Sequence, residues 1–207
     1  LCARIDASSP EQANADLLED LAGGADAAWL IADRNTRLAG AGGGTAGQPD
    51  GLRNGIDFGA KSAWQRVLAQ VQSELVHLHL QAGAMSAAVL TELLACLKER
   101  GVLEQSAIHL DFDPLASLAV DGILPCSIEA ARAQVWPFIE QTKSLPRLRL
   151  FCADGLPAHA AGASEATELA VVLASLTETL RAADATGQDL AAVVASTDLR
   201  VGVGREV

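Results

Sequence analysis

There is no tyrosine in this chain, and aromatic residues make up only 3% of it. The missing phenol removes one acid, one base and one stacking platform from every mechanism. Hydrophobic residues still account for 50% of the sequence, mostly Ala, Leu and Val, so the expected core is small aliphatic side chains packed through helices. Positive charge is scarce: 15 Lys and Arg stand against 26 Asp and Glu, a net charge of −11. An acidic surface repels phosphate backbones, and nucleic acid is excluded as an expected partner. No basic cluster or basic amphipathic helix offers a membrane seat, and no apolar run is long enough to span a bilayer. No basic-then-apolar leader opens the sequence, so the expected setting is the cytoplasm. Cys2, Cys96, Cys126 and Cys152 show no C-x-x-C spacing and read as free thiols.

What is present is an alternation of strand and helix patterns. Strands are expected at 2–6, 27–32, 74–82, 107–113 and 147–154, with one more beginning at 199–204. Helices are expected at 9–24, 59–72, 85–101, 127–143, 164–184 and 187–196. Ser9 can cap the first helix, Pro10 suits its first turn, and Gly23-Gly24 stops it. Pro137 is expected to kink or restart the helix over 127–143. Such spacing means βαβ units and a parallel sheet, hence an α/β fold. Five units are visible and a sixth begins.

Strand chemistry separates a doubly wound sheet from a (β/α)8 TIM-type barrel. In V-H-L-H-L-Q, alternation puts Val76, Leu78 and Leu80 on one face and His77, His79 and Gln81 on the other. In A-I-H-L-D-F-D, Ile108, Leu110 and Phe112 share one face while His109, Asp111 and Asp113 share the opposite one. A doubly wound sheet buries both faces under helices and wants both apolar. One apolar and one polar face fit a barrel with a polar lumen. Eight units need about 250 residues, and this chain has 207. The expectation is therefore one barrel domain over 1–207, incomplete, with residues missing or joined across a gap near V-G-V-G-R-E-V.

Four stretches could carry chemistry. G-G-G-T-A-G (42–47) matches G-x-G-x-x-G, but it follows no strand and Q-P-D-G comes next rather than a helix, so it reads as a surface loop. His77 and His79 point the same way in their strand, as metal-dependent hydrolases on barrels require, and His109 and Asp111 could join them; the competing reading is a hydrogen-bonded polar lining without metal. Asp111 and Asp113 lie near a strand's C-terminal end, where barrel active sites gather. They could do acid–base work, or Asp113-Pro114 could cap the strand and start a turn. His159 follows a strand and precedes a helix start, where it could face a ligand or brace the loop.

L-H-L-Q-A-G-A-M-S-A-A-V-L-T-E-L-L-A-C-L-K-E-R-G-V, H-L-D-F-D-P-L-A-S-L-A-V-D-G-I-L-P and the run from L-P-R-L-R-L-F-C-A-D-G-L-P to L-R-A-A, closed by D-L-R-V-G-V-G, together resemble the substrate-binding barrel of methylmalonyl-CoA mutase. N-A-D-L-L-E-D-L-A-G-G-A-D-A-A-W-L-I-A is similar to its first helix and second strand. The resemblance runs from about Arg4 to Gly204, apart from the Gly-rich insert, and A-G-A-S-x-x-x-E-L (Ala161–Leu169) is its most specific part. It implies an adenosylcobalamin-dependent isomerase of methylmalonyl-CoA and succinyl-CoA, with acyl-CoA threaded along the lumen.

The departures from that pattern point to a particular branch. The catalytic subunit's loop carries Gly-Tyr-His before A-G-A, and those positions here hold Leu156 and Pro157, with His159 two residues later. The substrate-carboxylate Arg is replaced, with Asp121 at or near its position, and a pocket Tyr cannot be present. The cobalamin motif Asp-x-His-x-x-Gly is absent, so no cobalamin-binding domain is visible. G-L-P-A-H-A-A-G-A-S is similar instead to the small subunit of the family's heterodimers, whose barrel has lost substrate binding. The resemblance thus implies a small-subunit-type barrel without catalytic residues of its own. Its expected partner is a catalytic mutase subunit or, as a homodimer, a second copy. Acyl-CoA is a candidate ligand, and adenosylcobalamin is held elsewhere. His77, His79, Gln81, His109, Asp111, Asp113 and His159 form a candidate remnant pocket. The alternative is a metal-dependent TIM-barrel hydrolase or lyase using His77, His79, His109 and Asp111.

Overall fold

The computed structural model describes residues 1–40, 55–59 and 62–203. The Gly-rich run 42–47 lies outside the described residues. Six strands, β1 (Cys2–Ile5), β2 (Ala27–Ile31), β3 (His77–Gln81), β4 (Ala107–Phe112), β5 (Leu148–Asp154) and β6 (Thr197–Arg200), form one sheet in the order β1-β2-β3-β4-β5-β6. Every pairing is parallel. Parallel crossovers are right-handed, and moving always to the next strand in one direction puts all of them on the same side of the sheet. A doubly wound sheet reverses direction and covers both sides. The unreversed order is that of a TIM-type barrel, here with six strands.

The helices follow from local signals. In α1 (Pro10–Ala22), the Ser9 side chain accepts from the Gln12 amide and Pro10 occupies the first turn, as the sequence predicts. In α4 (Ser86–Glu99), Val89, Leu90, Leu93, Leu94 and Leu97 are buried at helical spacing. They pack against Leu78, Leu80, Ile108 and Leu110, which belong to one continuous core. The helix expected over 127–143 is split into α6 (Ile128–Val135), a 3-10 turn at Trp136–Phe138 and α7 (Ile139–Thr142), because Pro137 has no amide to continue the ladder. The helix expected over 59–72 is shorter: within the described residues it is α3 (Ala63–Val67).

Short helices at the C-terminal ends of the strands were not foreseen. They are α2 (Arg34–Arg37), α5 (Pro114–Asp121) and α8 (Leu156–Ala160), with a 3-10 turn at Gly83–Met85. Asp33 caps α2 and Asp113 caps α5 through their carboxylates. Both read as loop residues because helices this short carry no periodicity. Strand β6 starts at Thr197, two residues before the expected start. No helix among the described residues is long and apolar enough to cross a membrane.

Helix α9 (Glu165–Ala185) follows its Ser164 cap, as expected for a start at 164. Its buried stripe is Glu168, Val172, Ser175, Thr179 and Ala183, smaller and more polar than the Leu-rich stripe of α4. It lies close against the end of β5 because Gly155 has no side chain. A Cβ there would come within 2.8 Å of Glu168 Cγ and 2.9 Å of Val172 Cγ2. Gly155→Ala should therefore destabilise the fold by about 1–3 kcal/mol, read as a lower urea midpoint with an unchanged slope.

Candidate functional site

The face of the sheet opposite the helices carries the polar residues, because alternation in β3 and β4 gives Leu78, Leu80, Ile108 and Leu110 to the core. Register then decides which residues touch. His79 pairs with His109 across β3 and β4, and the two rings stack with centroids 4.1 Å apart and planes 12° apart. His77 stacks on the same ring at 5.5 Å, with its Nδ1 3.3 Å from His109 Nε2. The other nitrogen of His109, Nδ1, lies 2.6 Å from Asp198 Oδ2 on β6. His79 Nδ1 faces Asp111 Oδ1 at 3.4 Å. Gln81 is half-buried at the end of β3, opposite Ile31.

Beside the imidazoles sits an arginine. Arg200 donates from Nε and Nη2 to both oxygens of Asp154, at 3.0 and 2.7 Å, and from Nη1 to Asp111 Oδ2 at 2.8 Å. Its guanidinium lies 4.9 Å from the centroid of the Trp29 ring, a favourable cation–π position. Arg4 lies 5.5 Å from the same ring and pairs with Asp6. The Asp111 and Asp154 side chains are only 3% and 6% exposed. Burial opposes the Arg200 charge, but the hydrogen bonds from Asp154 and the charge of Asp111 outweigh it and hold the guanidinium firmly protonated. Burial likewise opposes ionisation of Asp198, yet the His109 hydrogen bond wins and its carboxyl lies below the usual range. Burial pushes the Cys152 thiol up, away from reactivity.

Asp113 departs from its expected face. Asp111 has φ +48 and the β4–β5 register shifts between His109 and Phe112. This bulge breaks the alternation, so Asp113 turns away from His109 and Asp111. It is 4% exposed. Its Oδ1 accepts from the amides of Leu115 and Ala116, and its Oδ2 from the Asp154 amide at 3.1 Å and Ser175 Oγ at 2.7 Å. Of the two readings open in the sequence, capping is the geometry these bonds describe, and they join α5, β5 and α9.

His159 stands apart from the other three. It lies on α8, with Nδ1 3.1 Å from Glu168 Oε2. Glu168 is 3% exposed, and its other oxygen accepts from the Gly202 amide. A Cβ on Gly202 would come within 2.5 Å of the His159 ring. The imidazole thus ties α8 to α9 and to the chain leaving β6. Asp121, where the resemblance places an arginine in the catalytic subunit, makes a bidentate pair with Arg37 at 2.8 and 3.1 Å. That pair joins α5 to α2 above the C-terminal ends of the strands.

Sequence reasoning missed Trp29, Arg37, Asp198 and Arg200. Asp198 and Arg200 carried a signal: opposite charges two apart on a strand point the same way. The strand was read as starting at Leu199, which hid the pair. Among the described residues no group of three or more His, Cys, Asp or Glu is disposed to hold a metal ion. His77, His79, His109 and Asp111 do meet, but as stacked rings with nitrogens turned to hydrogen-bond partners. The metal-dependent hydrolase reading therefore finds no ligand set.

Comparison with known proteins agrees with this fold. The family model for methylmalonyl-CoA mutase matches residues 1–205. A methylmalonyl-CoA mutase small subunit from Streptomyces virginiae is 32% identical over 180 residues, covering 86% of this chain and 25% of that protein. The matched region thus spans about a quarter of the length of that relative.

The ion-pair cluster sets a stability test. Arg200→Met leaves two buried carboxylates unpaired and should cost about 3–5 kcal/mol. Adding Asp111→Asn and Asp154→Asn should recover most of that loss. Urea denaturation of the single and triple variants measures both.

Proposed function

Because the chain belongs to the methylmalonyl-CoA mutase family, we propose that it is a small-subunit-type barrel that supports a catalytic subunit and does not itself rearrange methylmalonyl-CoA. The observation that carries this reading is how the polar face is used. The Asp121–Arg37 pair stands where the family's substrate carboxylate would need a free cation. Arg200, the most buried cation of the inner face, is committed to Asp154 and Asp111. An acyl-CoA carboxylate or phosphate entering there would meet a surplus of carboxylates, which disfavours binding.

Adenosylcobalamin, which the family implies, does not fit the residues of this chain. All four histidines are engaged: His77, His79 and His109 with one another and with Asp198 and Asp111, and His159 with Glu168. None is left to ligate cobalt. The cofactor's radical chemistry is therefore assigned to a partner, and no step is routed through this chain. The partner proposed is a catalytic mutase subunit in the cytoplasm, with a second copy of the chain as the competing outcome.

Two measurements test the reading. The purified chain given adenosylcobalamin and methylmalonyl-CoA should form no succinyl-CoA, whereas mixing it with a catalytic subunit should yield a heterodimer by light scattering. Robust turnover by the chain alone would sink the proposal. His159→Ala should lower stability by about 1–2 kcal/mol, since it strips a buried carboxylate of a hydrogen bond. In a reconstituted complex of equal assembly and stability, the same substitution should leave kcat unchanged.

A further inference from the structure

We propose that the stack of His77, His109 and His79 is a one-proton clamp on the edge strand β6: with at most one added proton the rings hold Asp198, and a second proton releases the strand. The inference does not depend on the mutase reading.

The hydrogen-bond directions follow from what each partner can do. A carboxylate only accepts, so His109 donates from Nδ1 to Asp198. In the neutral state His109 Nε2 then accepts from His77 Nδ1, and His79 donates from Nδ1 toward Asp111. One chain of bonds thus runs from β3 through β4 to β6. A first proton fits on His109. Its Nε2 then donates to His77, whose proton moves to its far nitrogen, and the bond to Asp198 becomes charge-assisted. A second proton has no such place. It must sit on His79, with its ring 4.1 Å from His109, or on His77 at 5.5 Å. Two cations that close repel strongly even with solvent screening, and the chain of donors loses its acceptor.

The surrounding charges leave this balance to the imidazoles. His77 faces Asp26 and Arg147; burial, with the charges of His109 and Arg147, pushes its imidazolium below the ordinary range. Asp198 has Arg149 at 4.0 Å. Asp111 and Asp154 are bound to Arg200, and Arg4 is spent on Asp6 and the Trp29 ring. Burial keeps the thiols of Cys2 and Cys152 neutral. Strand β6 is the element this balance can move. It is four residues long and pairs within the described residues only with β5. Leu199 is 58% exposed, so side-chain anchorage rests on Asp198 and Arg200.

Nuclear magnetic resonance of the chain labelled at histidine tests the clamp. The three stacked rings should shift together through one step near about pH 6.5, with a second step about one pH unit or more lower, while His159 follows its own curve. Hydrogen exchange of the Thr197–Arg200 amides, corrected for intrinsic pH dependence, should accelerate through the second step and not the first. Asp198→Asn should raise that exchange about tenfold at pH 7.5. If Asp198→Asn does not fold, His79→Gln decides: removing the nearer ring should move the second step up toward the first. Three independent, superimposed titrations, β6 exchange indifferent to the second step, or a second step unmoved in His79→Gln would each overturn the proposal.

Discussion

The polar side of the sheet depends on the contact of Arg200 with Asp154 and Asp111. Two carboxylates that are nearly buried cannot stay ionised without a cation. Arg200 supplies it through a planar fork that reaches both, and it rests on the only large aromatic surface of that face, Trp29. The residues come from β2, β4, β5 and β6, so one guanidinium couples four strands that backbone pairing joins only neighbour to neighbour. The imidazole stack extends the same tie to β3 through Asp198 and His109.

The opposite side is held by different physics. Leu, Ile, Val and Phe of alternate strand positions meet the apolar stripes of α1, α4 and α6 in one core. Where α9 comes in, packing gives way to hydrogen bonding. Asp113 caps α5, receives the Asp154 amide and accepts from Ser175. Two consecutive residues of one strand end, Asp111 and Asp113, thus serve opposite faces: the first closes the ion-pair cluster and the second fastens a helix. The bulge at Asp111 makes this division possible. It also ties the loop chemistry to function, since the loops after β4 and β5 would have to carry a substrate site. Here they are occupied by Asp121–Arg37 and His159–Glu168. A barrel end stabilised in this way suits a subunit that binds a partner better than one that must open for acyl-CoA.

The inner face was half legible in the sequence. His77, His79, His109 and Asp111 were placed together by the period of two, and register confirms that they touch. Asp113 was misplaced because a bulge leaves no trace in a hydrophobic pattern. Arg200 and Asp198 were overlooked because a four-residue edge strand is too short for its start to be read. The short helices α2, α5 and α8 escaped for the same reason. The helices that bear long apolar stripes, and those with Ser caps, were found close to their ends.

The amino-acid sequence by itself determined the alternation of strand and helix, the apolar and polar faces of β3 and β4, and the kinship with the methylmalonyl-CoA mutase family. Those are local and periodic properties, written in neighbouring residues. Only the tertiary structure decided the order of the strands, the stacking of three imidazoles, and the capture of Arg200 by Asp111 and Asp154. Each of these joins side chains 30 to 90 positions apart. Their meeting is set by register and by the direction of every crossover, which no single stretch of chain contains.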